Sequence, residues 1–399
     1  MTKIDAIINA KVITPFRIID NSGVVIKDGR IAEILTNGDY SSVHGMNVFD
    51  AEGMYLSPGF IDIHTHGGGG HDYMEGTAEA VLHAVRTHLV HGTTSILPTT
   101  SASPDEDLYR AIGGFLEAKK TTFNVPRLLG MHLEGPYFSM EQRGAQDPRY
   151  LKTPVREEYL KILDYAKGNI LIWSSAPELP GAMELGRELR KRGILPSIGH
   201  SDAYYEDVVK AFENGYTQVT HLYSGCSLLR RKSSYRYLGV VESAFLIEGM
   251  NVEVIADGCH MPVELLQMIY RIKGPGKIIL VTDAIMAAGM PEGEYMIGNS
   301  ETGQKIIVEQ GVAKLLDRSS FAGSVATADR LIRTMYKGAG LPLHEVIGMM
   351  TANPARLLGR AEELGVIAVG AAADLVVFDG DINVRKVYVG GNEVVPDFY

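Results

Sequence analysis

The sequence predicts an α/β protein, a closed (β/α)8 TIM barrel that carries a small discontinuous β-sandwich domain built from both termini. Three observations lead to this prediction. Eight strand-like apolar runs alternate with helical stretches through the middle of the chain. The flanking segments show only short strand patterns and turn signals. The length, 399 residues, suits one large barrel with a small accessory unit.

The N-terminal segment reads as short strands without helical periodicity. Asp28-Gly29 stands between two apolar runs, and this pair is a hairpin signal because both residues tolerate positive φ angles. Strand patterns return near the C-terminus at 365–367, 374–379 and 384–389. We therefore expect residues 1–56 and 360–399 to form one β domain.

The barrel is expected to occupy residues 57–359. Its predicted strands are 59–66, 94–99, 127–134, 170–176, 194–200, 217–222, 251–257 and 277–283. The helices expected between them include 78–91, 104–120, 157–167, 180–192, 206–214 and 263–272. Glycines separate short apolar runs after the last strand, which predicts a β-hairpin insertion around 291–317 beside the mouth of the barrel.

Polar residues stand where several of these strands end. The run from Pro58 ends in His64-Thr65-His66, and alternate residues of a strand share a face, so both imidazoles should project together. Two histidines on one face are suitable ligands for zinc or another borderline transition metal.

An apolar run also ends in a polar residue downstream, at Glu134, His200, His221 and Asp283. Because barrels carry their chemistry at the carboxyl ends of the strands, we expect these side chains to converge on a metal centre. Glu134, His200 and His221 would supply three ligands and leave a position open. His64 and His66 would complete a second site or orient the first.

Asp283 has the chemistry to move a proton between a water molecule and a leaving amine. A structural ion pair is the alternative for this aspartate. His260, after strand seven, could donate a hydrogen bond to a substrate oxygen. Arg230, Arg231, Lys232 and Arg236 form a basic cluster that would suit an anionic substrate group, or would simply be a solvated loop.

Composition excludes some classes of function. A net charge of −10 disfavours a nucleic-acid surface, which needs basic stripes. Two cysteines provide no disulfide framework and suit a reducing cytoplasm. The N-terminus lacks the apolar core of a signal peptide, and no apolar run is long enough to span a membrane.

The motifs together resemble the N-acetylglucosamine-6-phosphate deacetylases of the amidohydrolase superfamily. The motifs that carry the resemblance are Pro58 to Gly67, His132-Leu133-Glu134-Gly135-Pro136, Gly199-His200-Ser201, Thr220-His221-Leu222-Tyr223, Ile255-Ala256-Asp257-Gly258, Thr282-Asp283-Ala284 and Ala322-Gly323-Ser324. The similarity extends to Asn353-Pro354-Ala355 and to Gly370 to Leu375.

The resemblance implies a metal-dependent amidohydrolase that removes the acetyl group from N-acetylglucosamine 6-phosphate. It implies one or two divalent metals per subunit, first of all Zn²⁺, with Fe²⁺ or another transition metal as alternatives. The implied metal ligands are His64, His66, Glu134, His200 and His221. Asp283 is the implied general base and acid, and the implied assembly is a homodimer.

The resemblance also covers the substrate contacts. His260 matches a substrate-contacting histidine of the family, and Arg236 matches its phosphate-binding arginine. Ser224-Gly225 stands where the family has Asn-Ala, and Gln146 stands where it has histidine. These departures keep a different N-acyl amino sugar open, such as N-acetylgalactosamine 6-phosphate, or another N-acyl compound or a cyclic amide. A non-catalytic scaffold of the same fold is a further alternative.

Overall fold

The centre of the molecule is a ring of parallel strands, which we number barrel strands one to eight. The computed structural model describes residues 3–298 and 303–395. Positions 1–2 and 396–399 of the predicted β domain and positions 299–302 of the predicted insertion lie outside the described residues. The barrel strands are Phe60–Thr65, Thr93–Thr100, Met131–Glu134, Ile170–Ser175, Leu195–Ile198, Gln218–Val219, Asn251–Val254 and Ile278–Leu280. Each pairs with the next in parallel, and the short strand Arg127–Leu128 also pairs with the second. The predicted fold class is confirmed.

Contacts between strand one and the residues that follow strand eight bring the ends of the ring together. The N–H of Asp283 donates to the carbonyl of His64 at 2.9 Å, and Thr65 pairs with Ala284 in an isolated parallel bridge. Closer to the start of strand one, the buried carboxylate of Asp62 accepts a hydrogen bond from the Thr282 hydroxyl at 2.6 Å. The same carboxylate accepts the backbone N–H groups of His64 and Thr282, each at 3.3 Å. Closure therefore fixes His64 and Asp283 side by side.

Helices cover the outside of the ring. They are Ala78–Leu89, Asp105–Ala118, Arg156–Tyr165, Ala182–Lys191, Tyr205–Glu213, Val240–Leu246, Val263–Lys273, Ala328–Arg333 with the π-helical turn Thr334–Gly338, Leu343–Met350 and Ala352–Leu357. The first helix starts where the Thr77 side chain accepts the N–H of Ala80 at 3.1 Å. Its apolar face is buried, as the helical period of the sequence predicts. No helix within 3–298 and 303–395 combines the length and apolarity needed to cross a membrane.

Strands from both ends of the chain form one mixed sheet, with parallel and antiparallel pairs. These strands are Ala6–Ile13, Ile18–Lys27, Arg30–Leu35, Val48–Asp50, Tyr55–Pro58, Leu375–Phe378, Val384–Val389 and Asn392–Glu393. The predicted hairpin at Asp28-Gly29 is confirmed, since Lys27 pairs with Arg30 and both turn residues have positive φ, 51° and 75°.

The strand expected at 365–367 is wrong. Gly365 has a φ of 75°, and a Cβ there would lie 2.4 Å from the Thr351 carbonyl oxygen. The segment thus packs against the end of a helix, and Ile367 is buried in the core of the terminal sheet without joining a strand. Burial of a single apolar side chain, rather than strand pairing, explains its apolar character.

Within its described residues, the insertion after strand eight contains three strands rather than the two of a hairpin. They are Gly293–Ile297, Gln304–Glu309 and Val312–Leu315, all antiparallel. Its buried side chains, including Ile306 and Ala313, pack with Ile285 and Ala322. The insertion is thereby joined to the loop that follows Asp283.

Candidate active site

The carboxyl ends of the barrel strands open into a cavity of about 620 Å³. Its lining includes nine of the residues singled out by the sequence, which are His66, Glu134, Gln146, His200, His221, Ser224, Gly225, His260 and Asp283. His64 lies just beneath, fully buried. Because all the barrel strands run in parallel, their last inward side chains meet at this one end.

Four side chains converge on the first half of the centre. The Nε2 atoms of His64 and His66 lie 3.3 Å apart, as expected for alternate residues of one strand. Asp283 Oδ1 lies 3.5 Å from His64 Nε2 and 3.2 Å from His66 Nε2. Glu134 approaches the same atoms, with Oε1 at 3.6 Å from His64 and Oε2 at 3.4 Å from His66.

The second half shares Glu134 with the first. Glu134 Oε1 lies 3.1 Å from His200 Nε2 and 2.8 Å from His221 Nε2. The ligand atoms of Glu134, His200 and His221 all lie within 4.8 Å of one another, and so do those of His64, His66 and Glu134. One carboxylate therefore stands between two histidine pairs.

The hydrogen bond behind the His200 ring shows that this arrangement fits a cation. His200 Nδ1 lies 2.8 Å from the carbonyl oxygen of Gln142, which can only accept, so the proton sits on Nδ1. Nε2 of His200 then presents a lone pair to an ionised Glu134 oxygen. Two acceptors at that distance repel each other unless a metal or a proton binds between them. Nitrogen and oxygen ligands in this combination suit zinc and its neighbours.

The charges in the centre favour the same conclusion. Burial opposes ionisation of Glu134, yet the imidazoles of His64, His200 and His221 hold its pKa well below the usual range. Burial also opposes ionisation of Asp283, and His64 and His66 still lower its pKa to about 2. Burial disfavours the charged form of His66, but hydrogen bonds with Asp283 and Glu134 raise its pKa to about 10. The two carboxylates thus attract positive charge into the centre.

Three of these residues have left-handed backbone geometry. The φ angles are 47° at His200, 29° at His221 and 46° at Asp283. Non-glycine residues rarely adopt such angles, which cost about 1–3 kcal/mol each and persist where the surroundings impose them. The turns that end strands five, six and eight are therefore shaped to aim these side chains rather than for local stability.

Both polar atoms of the Gln146 side-chain amide form hydrogen bonds. Nε2 donates to Glu134 Oε2 at 2.7 Å, and Oε1 accepts the N–H of Ala102 at 2.9 Å. The amide thereby connects the loops after strands two and three. Glu134 Oε2 is held by this contact while Oε1 faces His200 and His221.

Ser224 and Gly225 border the cavity on the side of His200. A Cβ at Gly225 would lie 2.6 Å from His200 Nδ1, and its φ is 56°, so only glycine suits this position. The Ser224 N–H donates to the His221 carbonyl at 2.8 Å. His260 also borders the cavity; its Nδ1 bonds Asp257 Oδ2 at 2.8 Å, and its ring centroid is 4.8 Å from that of Phe321.

Arg236 lies outside this cavity in the part of the chain that the structure describes. It belongs to an exposed hairpin, Arg230–Lys232 with Tyr235–Tyr237, and its Nη1 bonds the carbonyl of Ser234 at 2.9 Å. Arg230 instead forms an ion pair with Asp202 at 2.5 Å. The basic cluster of the sequence thus forms one hairpin, in which Arg230 is paired with Asp202 and Arg231, Lys232 and Arg236 are exposed.

Sequence reasoning missed other residues near the site. Lys314 and Arg318, from the insertion, line the cavity, and both contact Glu309, at 3.3 and 3.1 Å. Glu253 lies fully buried against His64. The sequence does contain an indication of this residue, because a charged side chain interrupts the apolar run of strand seven.

Comparison with known proteins agrees with the geometry. The amidohydrolase family model matches residues 55–394. The N-acetylglucosamine-6-phosphate deacetylase of Lysinibacillus sphaericus is 34% identical over 372 residues, 92% of this chain and 92% of that protein. The N-acetylgalactosamine-6-phosphate deacetylase of Escherichia coli O157:H7 is 29% identical and covers 94% of each chain.

Solved structures give the same result. The N-acetyl-D-glucosamine-6-phosphate deacetylase of Mycobacterium smegmatis, solved as a mutant in complex with N-acetyl-D-glucosamine-6-phosphate, superposes with a TM-score of 0.90 at 29% identity. That match covers 99% of this chain and 100% of the other. The deacetylase of Pasteurella multocida also gives a TM-score of 0.90 at 29% identity, covering 98% and 99%.

Proposed function

The chain belongs to the amidohydrolase family and, within it, to the N-acetylglucosamine-6-phosphate deacetylases, and we propose that it hydrolyses N-acetylglucosamine 6-phosphate to glucosamine 6-phosphate and acetate. The observation that carries this proposal is the position of Glu134 Oε1, within 3.6 Å of three imidazole Nε2 atoms. Asp283 completes the same cluster, within 3.5 Å of His64 Nε2. Ligands and a proton carrier together support hydrolysis rather than a binding scaffold.

The proposed cofactor is a divalent metal, with zinc as the first candidate. Glu134, His200 and His221 would hold one ion, and His64, His66 and Glu134 would hold a second. When bound, the metal supplies a Lewis acid that polarises the amide carbonyl and acidifies a water molecule. Two buried carboxylates, Glu134 and Asp283, support a count of two ions because each lies against at least two imidazoles.

Asp283 is proposed to move the proton. Its low pKa keeps the carboxylate ionised, so it can accept a proton from the attacking water. The water oxygen forms a bond to the amide carbon, and the C–N bond breaks. The same proton then passes from Asp283 to the departing nitrogen, which leaves as the amine of the sugar while acetate forms.

The contacts to the sugar phosphate are also proposals. His260, Ser224 and Gly225 line the cavity and could face the sugar. We propose that Arg236 binds the phosphate. Because Arg236 is exposed on a hairpin outside its own cavity, it would do so from a second subunit.

A homodimer is proposed on that basis. The hairpin region exposes large apolar side chains, with Leu229 at 51% and Tyr235 at 72%. Exposed apolar groups beside cations suit a protein–protein contact. We propose a cytoplasmic location as well, because a phosphorylated sugar carries charge that keeps it inside the cell and both cysteines are free.

A second candidate substrate is N-acetylgalactosamine 6-phosphate. It is favoured by the likeness to the E. coli O157:H7 deacetylase and by the presence of Gln146 where the resembling family has histidine. Because Gln146 is tied to Glu134 and Ala102, its amide is less free to contact a sugar hydroxyl. A panel of substrates distinguishes the two candidates.

The test is an acetate-release assay with the purified, metal-loaded protein. The substrates are N-acetylglucosamine 6-phosphate, N-acetylgalactosamine 6-phosphate and unphosphorylated N-acetylglucosamine. The proposal expects the highest kcat/KM with the first and a strong dependence on phosphate. A higher kcat/KM with N-acetylgalactosamine 6-phosphate would make that compound the substrate. No acetate release from any of the three would refute deacetylation of amino-sugar phosphates.

A further inference from the structure

Glu253 is a charged side chain in the interior of the barrel. It lies on barrel strand seven, Asn251–Val254, and its exposure is 0%. An isolated buried carboxylate is costly, so it requires hydrogen-bond donors around it. Among the described residues Glu253 has three donors, two from strand six and the turn after it and one from strand one.

The first two donors belong to strand six and the turn after it. Gln218 Nε2 donates to Glu253 Oε1. The backbone N–H of His221 donates to Oε2 at 3.2 Å. Glu253 therefore helps to hold the left-handed turn that aims the His221 ring at Glu134.

The third donor is the ring of His64. His64 Nδ1 lies 2.9 Å from Glu253 Oε2. Oε2 is an acceptor, so the proton of the imidazole must be on Nδ1. Nε2 is left with its lone pair, and it is this atom that faces Glu134 Oε1 at 3.6 Å and Asp283 Oδ1 at 3.5 Å.

The ligand atoms of His64, His132 and Glu253 lie within 4.8 Å of one another, which is also the spacing of a metal site. Hydrogen bonding argues against this use. His132 Nδ1 contacts the Ile63 carbonyl at 3.2 Å, and its Nε2 contacts the Ser174 hydroxyl at 2.6 Å. With both nitrogens of His132 engaged, the cluster is a set of hydrogen bonds rather than a second cavity for an ion.

We infer that Glu253 is a positioning residue that acts through its hydrogen bonds. It selects the ring form in which His64 can offer Nε2 to a metal, and it fixes the backbone of His221 on the other side of the centre. Such support behind a ligating histidine typically changes metal affinity by about 10- to 100-fold. The inference rests on the proposed metal-dependent function and adds a residue to it.

Two conservative variants separate hydrogen bonding from charge. Glu253→Asp keeps the charge but withdraws the oxygens by one methylene from His64 and His221. Glu253→Gln removes the charge but keeps an oxygen within reach of both. The new amide would meet Gln218, whose buried Oε1 has no hydrogen-bond partner among the described residues and can turn to accept it.

The measurement is the affinity of the metal-free protein for Zn²⁺, obtained by competition with a chromogenic chelator, with the number of ions bound. Glu253→Asp should bind zinc about 10- to 100-fold more weakly than the wild type. Glu253→Gln should remain close to the wild type. Glu248→Gln, at an exposed glutamate, is the matched control.

Wild-type affinity in Glu253→Asp would overturn the inference. Equal weakening in both variants would also overturn it, because a side chain that keeps an oxygen within reach of His64 and His221 would then be no better than one that withdraws it. A wild-type protein that binds no zinc would instead refute the proposed metal centre. The two failures are therefore distinguishable without an activity assay.

Discussion

Nε2 of His221 lies 2.8 Å from Oε1 of Glu134, although the two residues are separated by 87 positions and lie at the ends of barrel strands six and three. The contact joins two nonadjacent strands across the mouth of the barrel. It defines where the reaction centre is, because His200 and His64 approach the same oxygen atom.

Removing the metal should abolish turnover and lower thermal stability. A ligand that binds only the folded state stabilises it by about 4 kcal/mol at a thousandfold excess over Kd. We therefore expect a chelator to lower Tm and activity together, and Zn²⁺ to restore both. Acetate release and thermal unfolding measured on the same dialysed sample check this. Full turnover after removal of all bound metal would contradict it.

Asp283→Asn should remove proton transfer while leaving metal binding largely in place. A positioned acid–base group contributes about 100- to 10,000-fold to rate, so kcat should fall by that order. Metal content and kcat are the two quantities to compare. A variant that keeps its metal and also keeps wild-type kcat would show that another group carries the proton.

Substitutions at Gln146 should depend on what they present to Glu134. Gln146→Glu places a second carboxylate 2.7 Å from Glu134 Oε2, where the amide now donates, and we expect kcat/KM to fall by about 10-fold or more. Gln146→His retains a donor and should stay active. The ratio of kcat/KM for the glucosamine and galactosamine substrates should change in Gln146→His if the position also contacts the sugar. Equal activity of the Glu and His variants would show that the hydrogen bond to Glu134 is unimportant.

His88 should make the protein sensitive to acid. It is fully buried, burial lowers its pKa from 6.5 to about 4, and its Nε2 lies 2.8 Å from the Gly67 carbonyl. Between these values the unfolded chain binds a proton that the folded chain does not, so stability falls as pH decreases. The full effect is about 3 kcal/mol, reached below pH 4 and absent above pH 6.5.

Urea unfolding of metal-free protein at pH 7 and pH 4 measures this effect. His88→Gln keeps a donor for Gly67 but cannot titrate. The variant should therefore lose less stability than the wild type over the same interval. Identical losses in the two proteins would assign the acid sensitivity to other groups.

The sequence was most informative where a regular pattern met a polar residue. His64 and His66 share a face because strand geometry has a period of two, and the structure brings their Nε2 atoms within 3.3 Å. Glu134, His200, His221 and Asp283 each follow an apolar run, and a parallel barrel collects such positions at one end. These features depend only on local pattern and on the fold class.

Other features depend on contacts between distant segments, which no local pattern encodes. Arg236 lies on an exposed hairpin outside the cavity, whereas Lys314 and Arg318 reach the lining from the insertion. The two-ended contact of Gln146 depends on the path of its loop past Ala102. Glu253 was visible as a charge within an apolar strand, but its partner His64 is 189 residues away.

We propose that the cluster around Glu134 hydrolyses the acetamido group of a sugar phosphate. The most direct measurement is acetate release from N-acetylglucosamine 6-phosphate by zinc-loaded protein, with Asp283→Asn as the control. We expect turnover that requires the metal, the phosphate and Asp283. Metal-loaded wild-type protein that releases no acetate from this substrate or from N-acetylgalactosamine 6-phosphate would contradict it.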